Sequence, residues 1–111
     1  MLQYETARAV YEEMREKAAQ STTGGFQDFF RLFLKSAADY AATRSAWATM
    51  DQTARNEDDK PRRVKHDAFI SILNAMARNL AMEDIGEIMP DRKTKGDFAC
   101  YVALFMALEQ R

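Results

Sequence analysis

The spacing of apolar side chains along the chain predicts four helices. Between residues 3 and 20, apolar positions recur every three or four residues, and charged side chains occupy the other faces. The same pattern predicts three further helices, at about 26–50, 61–81 and 92–109. A short helical turn is predicted between the last two, within the sequence MEDIGEIMP, where Pro90 ends it. No stretch has the alternation of a β-strand, so the sequence predicts an all-α fold.

The second and third helices are predicted to be joined by an exposed loop at residues 51–59. Its sequence, DQTARNEDD, has no apolar residue larger than alanine and carries four acidic side chains. At 111 residues the chain is long enough for one hydrophobic core and too short for two ordinary domains. We therefore expect one domain over residues 1–111, a compact four-helix bundle-like unit with a short extra helical turn.

The sequence GDFACYVALFMAL, residues 96–108, carries no charge after Asp97. A membrane span needs about 20 apolar residues, so this run is too short to cross a bilayer and is predicted to be core. On a helix its small residues fall on one side: Gly96, Ala99, Cys100, Ala103 and Ala107. Its large residues fall roughly opposite: Phe98, Tyr101, Val102, Phe105 and Leu108.

The small side of this last helix is predicted to cross helix two closely. Helix two carries a matching series of small residues, at Ala38, Ala41, Ala42, Ser45 and Ala48. Gly96 weakens a helix relative to alanine, so its presence indicates tight packing at this point. Cys100 has no neighbouring cation in its own helix to stabilise a thiolate, and we expect it to be buried and unreactive.

Candidates for catalytic chemistry are few in this chain. The single cysteine excludes an intramolecular disulfide and a cysteine-based zinc cluster. The sequence KHD at residues 65–67 resembles the His-Asp pair of metal-dependent phosphohydrolases, but those sites need further histidines and this chain has only His66. We expect His66 to be held near the core by a hydrogen bond to Asp91 or Asp97. The sequence therefore predicts no catalytic residue, no metal site and no cofactor, with a metal-dependent enzyme centred on His66 as a remaining alternative.

A polar stripe is predicted on the face of helix three that lies opposite its core. It consists of Arg63, Asp67, Ser71, Asn74 and Arg78. Arg63 and Asp67 are spaced as an i, i+4 ion pair. Surface helices ordinarily turn such a polar face toward water. The alternative is that the stripe is a recognition surface, which makes its five residues the candidate interaction surface.

The charge of the chain is balanced overall but basic in two places. Sixteen basic and seventeen acidic residues leave a net charge of −1, so no overall positive field attracts nucleic acid or an anionic membrane. Two basic clusters lie near predicted helix starts, at residues 60–65 and 92–95, where backbone amides also favour anions. They supply three candidate anion contacts, Arg62, Lys93 and Lys95. A small nucleic-acid-binding protein is therefore an alternative function, and no membrane partner is expected.

Two stretches in the second half of the chain carry a resemblance to other proteins. RVKHDAFISILNAMARNL and DRKTKGDFACY together resemble a pattern shared by small bacterial helical proteins of unknown function. The resemblance covers residues 63–111 and leaves the first two helices unassigned. Because no activity is attached to that family, the resemblance implies no mechanism and no catalytic residue.

The apolar content of the chain indicates a binding function. Seven methionines, seven phenylalanines, four tyrosines and one tryptophan exceed what a core of this size easily hides, so some of them should form an interface. We therefore predict a helical protein-interaction module without catalytic activity, which self-associates as a dimer or binds a protein partner. The charged N-terminal sequence lacks the apolar stretch of a signal peptide, which predicts a cytoplasmic protein.

Overall fold

A computed structural model describes residues 1–21, 24–53 and 59–110 of the chain. These residues contain five complete helices and no strand, so the predicted all-α fold is confirmed. The helices are α1 (Tyr4–Ala19), α2 (Gly24–Ala48), α3 (Asp59–Asn79), α4 (Ile85–Ile88) and α5 (Arg92–Glu109). None of the helices in the described ranges is long and apolar enough to cross a membrane.

The second and third helices lie about two residues earlier in the chain than predicted. α2 ends at Ala48 rather than at residue 50, and α3 begins at Asp59 rather than at residue 61. Of the predicted loop, residues 51–53 are exposed, with 52 and 53 helical, and residues 54–58 lie outside the described residues. Asp59 suits the first turn of α3 because a carboxylate there is stabilised by the helix dipole.

The start of α5 is fixed by a side-chain cap. Asp91 is extended ahead of the helix, and its carboxylate accepts hydrogen bonds from Thr94 N at 2.7 Å and from Thr94 Oγ1 at 2.5 Å. These two hydrogen bonds lower the pKa of Asp91. This cap fixes the first turn of α5.

Three phenylalanines from three helices lie at the centre of the core. Phe33 of α2, Phe69 of α3 and Phe98 of α5 are fully buried. The ring centroid of Phe33 lies 5.6 Å from that of Phe69 and 6.3 Å from that of Phe98. α1 packs on α5, where the ring of Tyr11 lies 5.3 Å from that of Phe105. The core therefore joins all four long helices.

The predicted crossing of small residues between α2 and α5 is correct only near the start of α5. Gly96 and Ala99 are buried, whereas Ala107 is exposed. On α2 three of the small residues are also exposed: Ala42, Ser45 and Ala48. In the second half of α5, Phe105 packs on Tyr4 and Tyr11 of α1. For the same helix, Leu108 was predicted as core but is 41% exposed.

Candidate functional site

The two predicted basic clusters meet at a cavity between α2, α3 and α5. The cavity has a volume of about 360 Å³. It is lined by Tyr40, Arg44 and Trp47 from α2, by Arg62, Arg63 and His66 from α3, and by Arg92 and Lys93 from α5. We call it the basic cavity. Segments that are distant in sequence thus bring five cationic side chains together.

Two of the three predicted anion contacts belong to the basic cavity. Arg62 and Lys93 line it, whereas Lys95 lines a separate cavity of about 490 Å³ beside α4. Lys95 is two residues beyond Lys93, which is a rotation of about 200° around a helix axis. The two lysines therefore face different sides of α5.

Aromatic rings form part of the wall of the basic cavity. The rings of Tyr40 and His66 are stacked, with centroids 4.9 Å apart and planes inclined by 17°. The guanidinium carbon of Arg62 lies 4.7 Å from the ring centroid of Trp47, which is a cation–π contact. Gly96 packs against the first pair, because a Cβ atom there would lie 3.0 Å from both His66 Nε2 and Tyr40 Oη. The tight packing predicted at Gly96 is confirmed.

His66 is a buried histidine that is fixed by the backbone of α5. Its Nε2 lies 2.9 Å from the carbonyl oxygen of Arg92, which only accepts hydrogen bonds, so Nε2 donates. The predicted hydrogen bond to Asp91 or Asp97 is wrong, because Asp91 caps α5 and Asp97 pairs with Arg44. Burial lowers the pKa of His66 in spite of the hydrogen bond to the Arg92 carbonyl. The imidazole is therefore neutral at pH 7.

Aspartates beside the basic cavity hold its arginines in place. Arg44 pairs with Asp97 at 2.9 Å, Arg62 with Asp59 at 2.7 Å, Arg63 with Asp59 at 3.1 Å, and Arg92 with Asp67. Hydrogen bonds from Arg62 and Arg92 lower the pKa values of Asp59 and Asp67 respectively, so both carboxylates are charged at pH 7. A guanidinium has five N–H donors, and these pairs leave donors for a further anion.

The predicted polar stripe of α3 is on the surface, but it is not one continuous site. Its residues Arg63, Asp67, Ser71 and Arg78 are exposed, and Asn74 is half-buried. The predicted ion pair between Arg63 and Asp67 is wrong, because Arg63 pairs with Asp59 and Asp67 pairs with Arg92. Arg63 lines the basic cavity, whereas Asn74 and Arg78 line the cavity beside α4.

Exposed apolar side chains gather where the first residues of the chain meet the end of α5. Met1, Tyr4, Leu104 and Leu108 are each at least 41% exposed, and we call these four the apolar surface. Tyr101 connects the two segments, because its Oη donates to the carbonyl oxygen of Leu2 at 3.2 Å and its ring centroid lies 6.0 Å from that of Tyr4. Met1 and Leu104 line one shared cavity of about 360 Å³.

From the sequence, the whole run at residues 96–108 is predicted as core, so the exposed positions of Leu104 and Leu108 are missed. A signal for it exists in the spacing. Leu104 and Leu108 are four residues apart, so they share one face of α5. That face adjoins the one of Phe98, Val102 and Phe105, which are all fully buried. An apolar side that is wider than the buried face indicates a second contact.

Cys100 lies half-buried in α5 at the cavity beside the apolar surface. Its Sγ is 3.6 Å from Arg44 Nη1, so α2 supplies the nearby cation that its own helix lacks. Burial raises the pKa of the Cys100 thiol, and this effect outweighs the opposing effect of Arg44. The thiol is therefore protonated at pH 7, and the protonated form is the unreactive one.

Native protein is expected to react with iodoacetamide at pH 7 at least about tenfold more slowly than the same protein unfolded in urea. The reason is that unfolding exposes Cys100 and returns its pKa to that of a free cysteine. Mass spectrometry of samples taken over time measures both rates on one residue, because the chain has a single cysteine. Equal rates in the two states would show that folding neither shields the thiol of Cys100 nor raises its pKa.

Neither a set of metal ligands nor a comparison with known proteins assigns a function to the cavities. Among residues 1–21, 24–53 and 59–110, no three His, Cys, Asp or Glu side chains are grouped so as to hold a metal ion. These ranges therefore do not contain the group of metal ligands that an enzyme centred on His66 would need. No protein-family model, no curated protein and no solved structure matches the chain. The resemblance of residues 63–111 to small bacterial helical proteins stays a prediction.

Proposed function

We propose that this protein is a protein-interaction module that self-associates as a symmetric dimer through the apolar surface. The observation that carries this proposal is that exposed Met1 and Leu104 line one cavity, with Tyr4 packed on Tyr101 beside it and Leu108 one turn further along α5. Single exposed apolar side chains are common on monomers, whereas a contiguous group marks a binding surface. In this proposal the protein acts by binding a second copy of itself, and no residue is catalytic.

The apolar surface has the composition of an interface centre. Methionine, tyrosine and leucine form it, and the paired Arg44 and Asp97 stand at its edge, where they line the same cavity as Met1 and Leu104. Interface centres are depleted in charged residues and surrounded by a polar rim. A symmetric dimer needs a patch that complements itself. An apolar centre with both charges at its rim meets that requirement.

The proposed setting is the cytoplasm of a bacterial cell. The cytoplasm is supported by the free thiol of Cys100, because reducing compartments keep cysteines unpaired. The bacterial source is supported by the resemblance of residues 63–111 alone.

The substitution Leu104→Asp is expected to convert the dimer into a monomer. A carboxylate at the centre of an apolar interface loses its hydration without gaining a partner, which costs several kcal/mol. Light scattering coupled to size-exclusion chromatography measures the molar mass, which should fall from that of two chains to that of one chain. Circular dichroism checks that the variant keeps its helices.

The matched control for this experiment is Leu32→Asp. Leu32 lies on α2, outside the apolar surface, and is 49% exposed, compared with 44% for Leu104. The same chemical change at a similarly exposed leucine is expected to leave the dimer mass unchanged. If both variants have the same mass, or if the wild-type protein is monomeric, the apolar surface is not a dimer interface.

Nucleic-acid binding is a second candidate function, favoured by the meeting of both basic clusters at the basic cavity. Two features count against a long strand as the ligand. The net charge of the chain is −1, and Asp59, Asp67 and Asp97 lie beside the arginines, where they repel a phosphate backbone that crosses the cavity. The cavity therefore suits a compact anion better than a polymer.

A further inference from the structure

We propose that the basic cavity binds the phosphate group of a small phosphate monoester. This binding site is distinct from the apolar surface, so it adds a ligand to the proposed interaction module. Three properties of the cavity support it: fixed donors, matched charge and suitable size.

The donors of the basic cavity are fixed before a ligand arrives. Each of its four arginines is held by a carboxylate, and three of them use Arg44 Nη1, Arg62 Nε and Arg92 Nη2 for that contact. Arg62 also hydrogen-bonds Tyr40, and further N–H groups of these planar guanidiniums remain for a second acceptor. Guanidinium matches the geometry of phosphate oxygens through paired hydrogen bonds. Groups that are already positioned lose less side-chain entropy when they bind a ligand.

The charge of the cavity matches that of a phosphate monoester. Its lining carries five cationic side chains, and the aspartates paired with them number three: Asp59, Asp67 and Asp97. The neutral imidazole of His66 adds nothing to this balance. Among the described residues, the cations of the lining therefore outnumber the aspartates paired with them by two. A phosphate monoester carries a charge of about −1.5 to −2 at pH 7, which balances this excess, whereas a single carboxylate does not.

The size and wall of the cavity suit a small organic phosphate. A volume of about 360 Å³ lies at the lower end of the range for small-molecule sites. Trp47 is half-buried at the wall, and the Arg62 guanidinium lies over its indole ring, which places an aromatic group next to the cations. Such a wall accommodates a sugar or base attached to the phosphate. We therefore take adenosine 5′-monophosphate as the probe of the site.

Isothermal titration calorimetry tests the proposal with three probes on the wild-type protein. Adenosine 5′-monophosphate and inorganic phosphate are expected to bind, and adenosine is expected not to bind because it lacks the charged group. Arg63→Ala on α3 and Lys93→Ala on α5 are each expected to weaken binding of adenosine 5′-monophosphate by about tenfold or more. Both residues are exposed, so their removal leaves the core unchanged.

The matched control is Arg31→Ala, outside the basic cavity. Arg31 pairs with Asp28 at 2.9 Å and is 75% exposed, which resembles the pairing of Arg63 with Asp59 at 3.1 Å and its 66% exposure. This variant is expected to bind the nucleotide like the wild-type protein. An equal loss in all three variants would assign the binding to overall charge and overturn the proposal.

Three other results would also overturn the proposal. The first is the absence of binding by either phosphate compound at millimolar concentration. The second is equal binding of adenosine and its monophosphate, which would assign the affinity to the base. The third is much tighter binding of a single-stranded oligonucleotide than of the monophosphate, with the same dependence on Arg63 and Lys93, which would favour the nucleic-acid alternative.

Discussion

Phe105→Ala is expected to lower the free energy of unfolding by about 3–5 kcal/mol. Phe105 is fully buried in α5, and its ring lies 5.4 Å from that of Tyr4 and 5.3 Å from that of Tyr11, both on α1. Removal of the ring leaves a cavity and removes the contacts of Phe105 with both tyrosines of α1. Urea unfolding followed by circular dichroism measures the loss.

The control for Phe105→Ala is Leu32→Ala, which removes an apolar side chain that is 49% exposed. Because half of this side chain is already in water, the expected loss is below about 1 kcal/mol. A similar loss in both variants would mean that α1 does not pack on α5 through Phe105. In that case the contact between the first residues and α5, on which the apolar surface depends, would be absent as well.

Gly96→Ala is expected to lower the free energy of unfolding by up to about 2 kcal/mol, although alanine is the better helix former. The gain in helix propensity is about 1 kcal/mol, and overpacking a close contact costs about 1–3 kcal/mol. The added Cβ would lie 3.0 Å from both His66 Nε2 and Tyr40 Oη. These two rings are stacked on each other and buried, and His66 is also held by Arg92, so neither moves away easily.

The control for Gly96→Ala is Gly25→Ala in the first turn of α2. A Cβ at Gly25 meets no atom within 4 Å, so this variant is expected to be unchanged or slightly more stable. Urea unfolding compares the two. If Gly96→Ala were as stable as Gly25→Ala, α5 would lie further from α2 and α3 than described, and the basic cavity would lose its shape.

The local features of the fold could be predicted from the sequence because they depend on neighbouring residues. The four long helices follow from apolar spacing, and the cap at Asp91 follows from its position ahead of RKTK. The close approach at Gly96 follows from a glycine in a helix that is otherwise apolar. Each of these needs only a few turns of chain, so no knowledge of tertiary packing was required.

The partners of the polar side chains could not be predicted in the same way. Asp67 was matched with Arg63 on its own helix, but it pairs with Arg92 from α5. His66 was expected to bond to an aspartate, but the first turn of α5 presents the Arg92 carbonyl instead. Long charged side chains reach several neighbours, so the choice among them depends on how the helices pack. Spacing along one helix does not contain that information.

For the candidate sites too, the sequence predicts individual residues but not how packing brings them together. Arg62 and Lys93 were identified as anion contacts from local charge, yet their meeting in one cavity, together with Arg44 and Trp47 of α2, depends on the packing of three helices. The apolar surface likewise depends on where Leu2 and Tyr101 place the first residues of the chain against α5. Composition indicated that excess apolar side chains exist, but not where they lie.

The molar mass of the wild-type protein in solution tests self-association most directly. Sedimentation equilibrium over a range of protein concentrations is expected to give a mass that approaches twice that of one chain as concentration rises, with reversible dissociation on dilution. A mass equal to one chain at every concentration would contradict the proposed dimer.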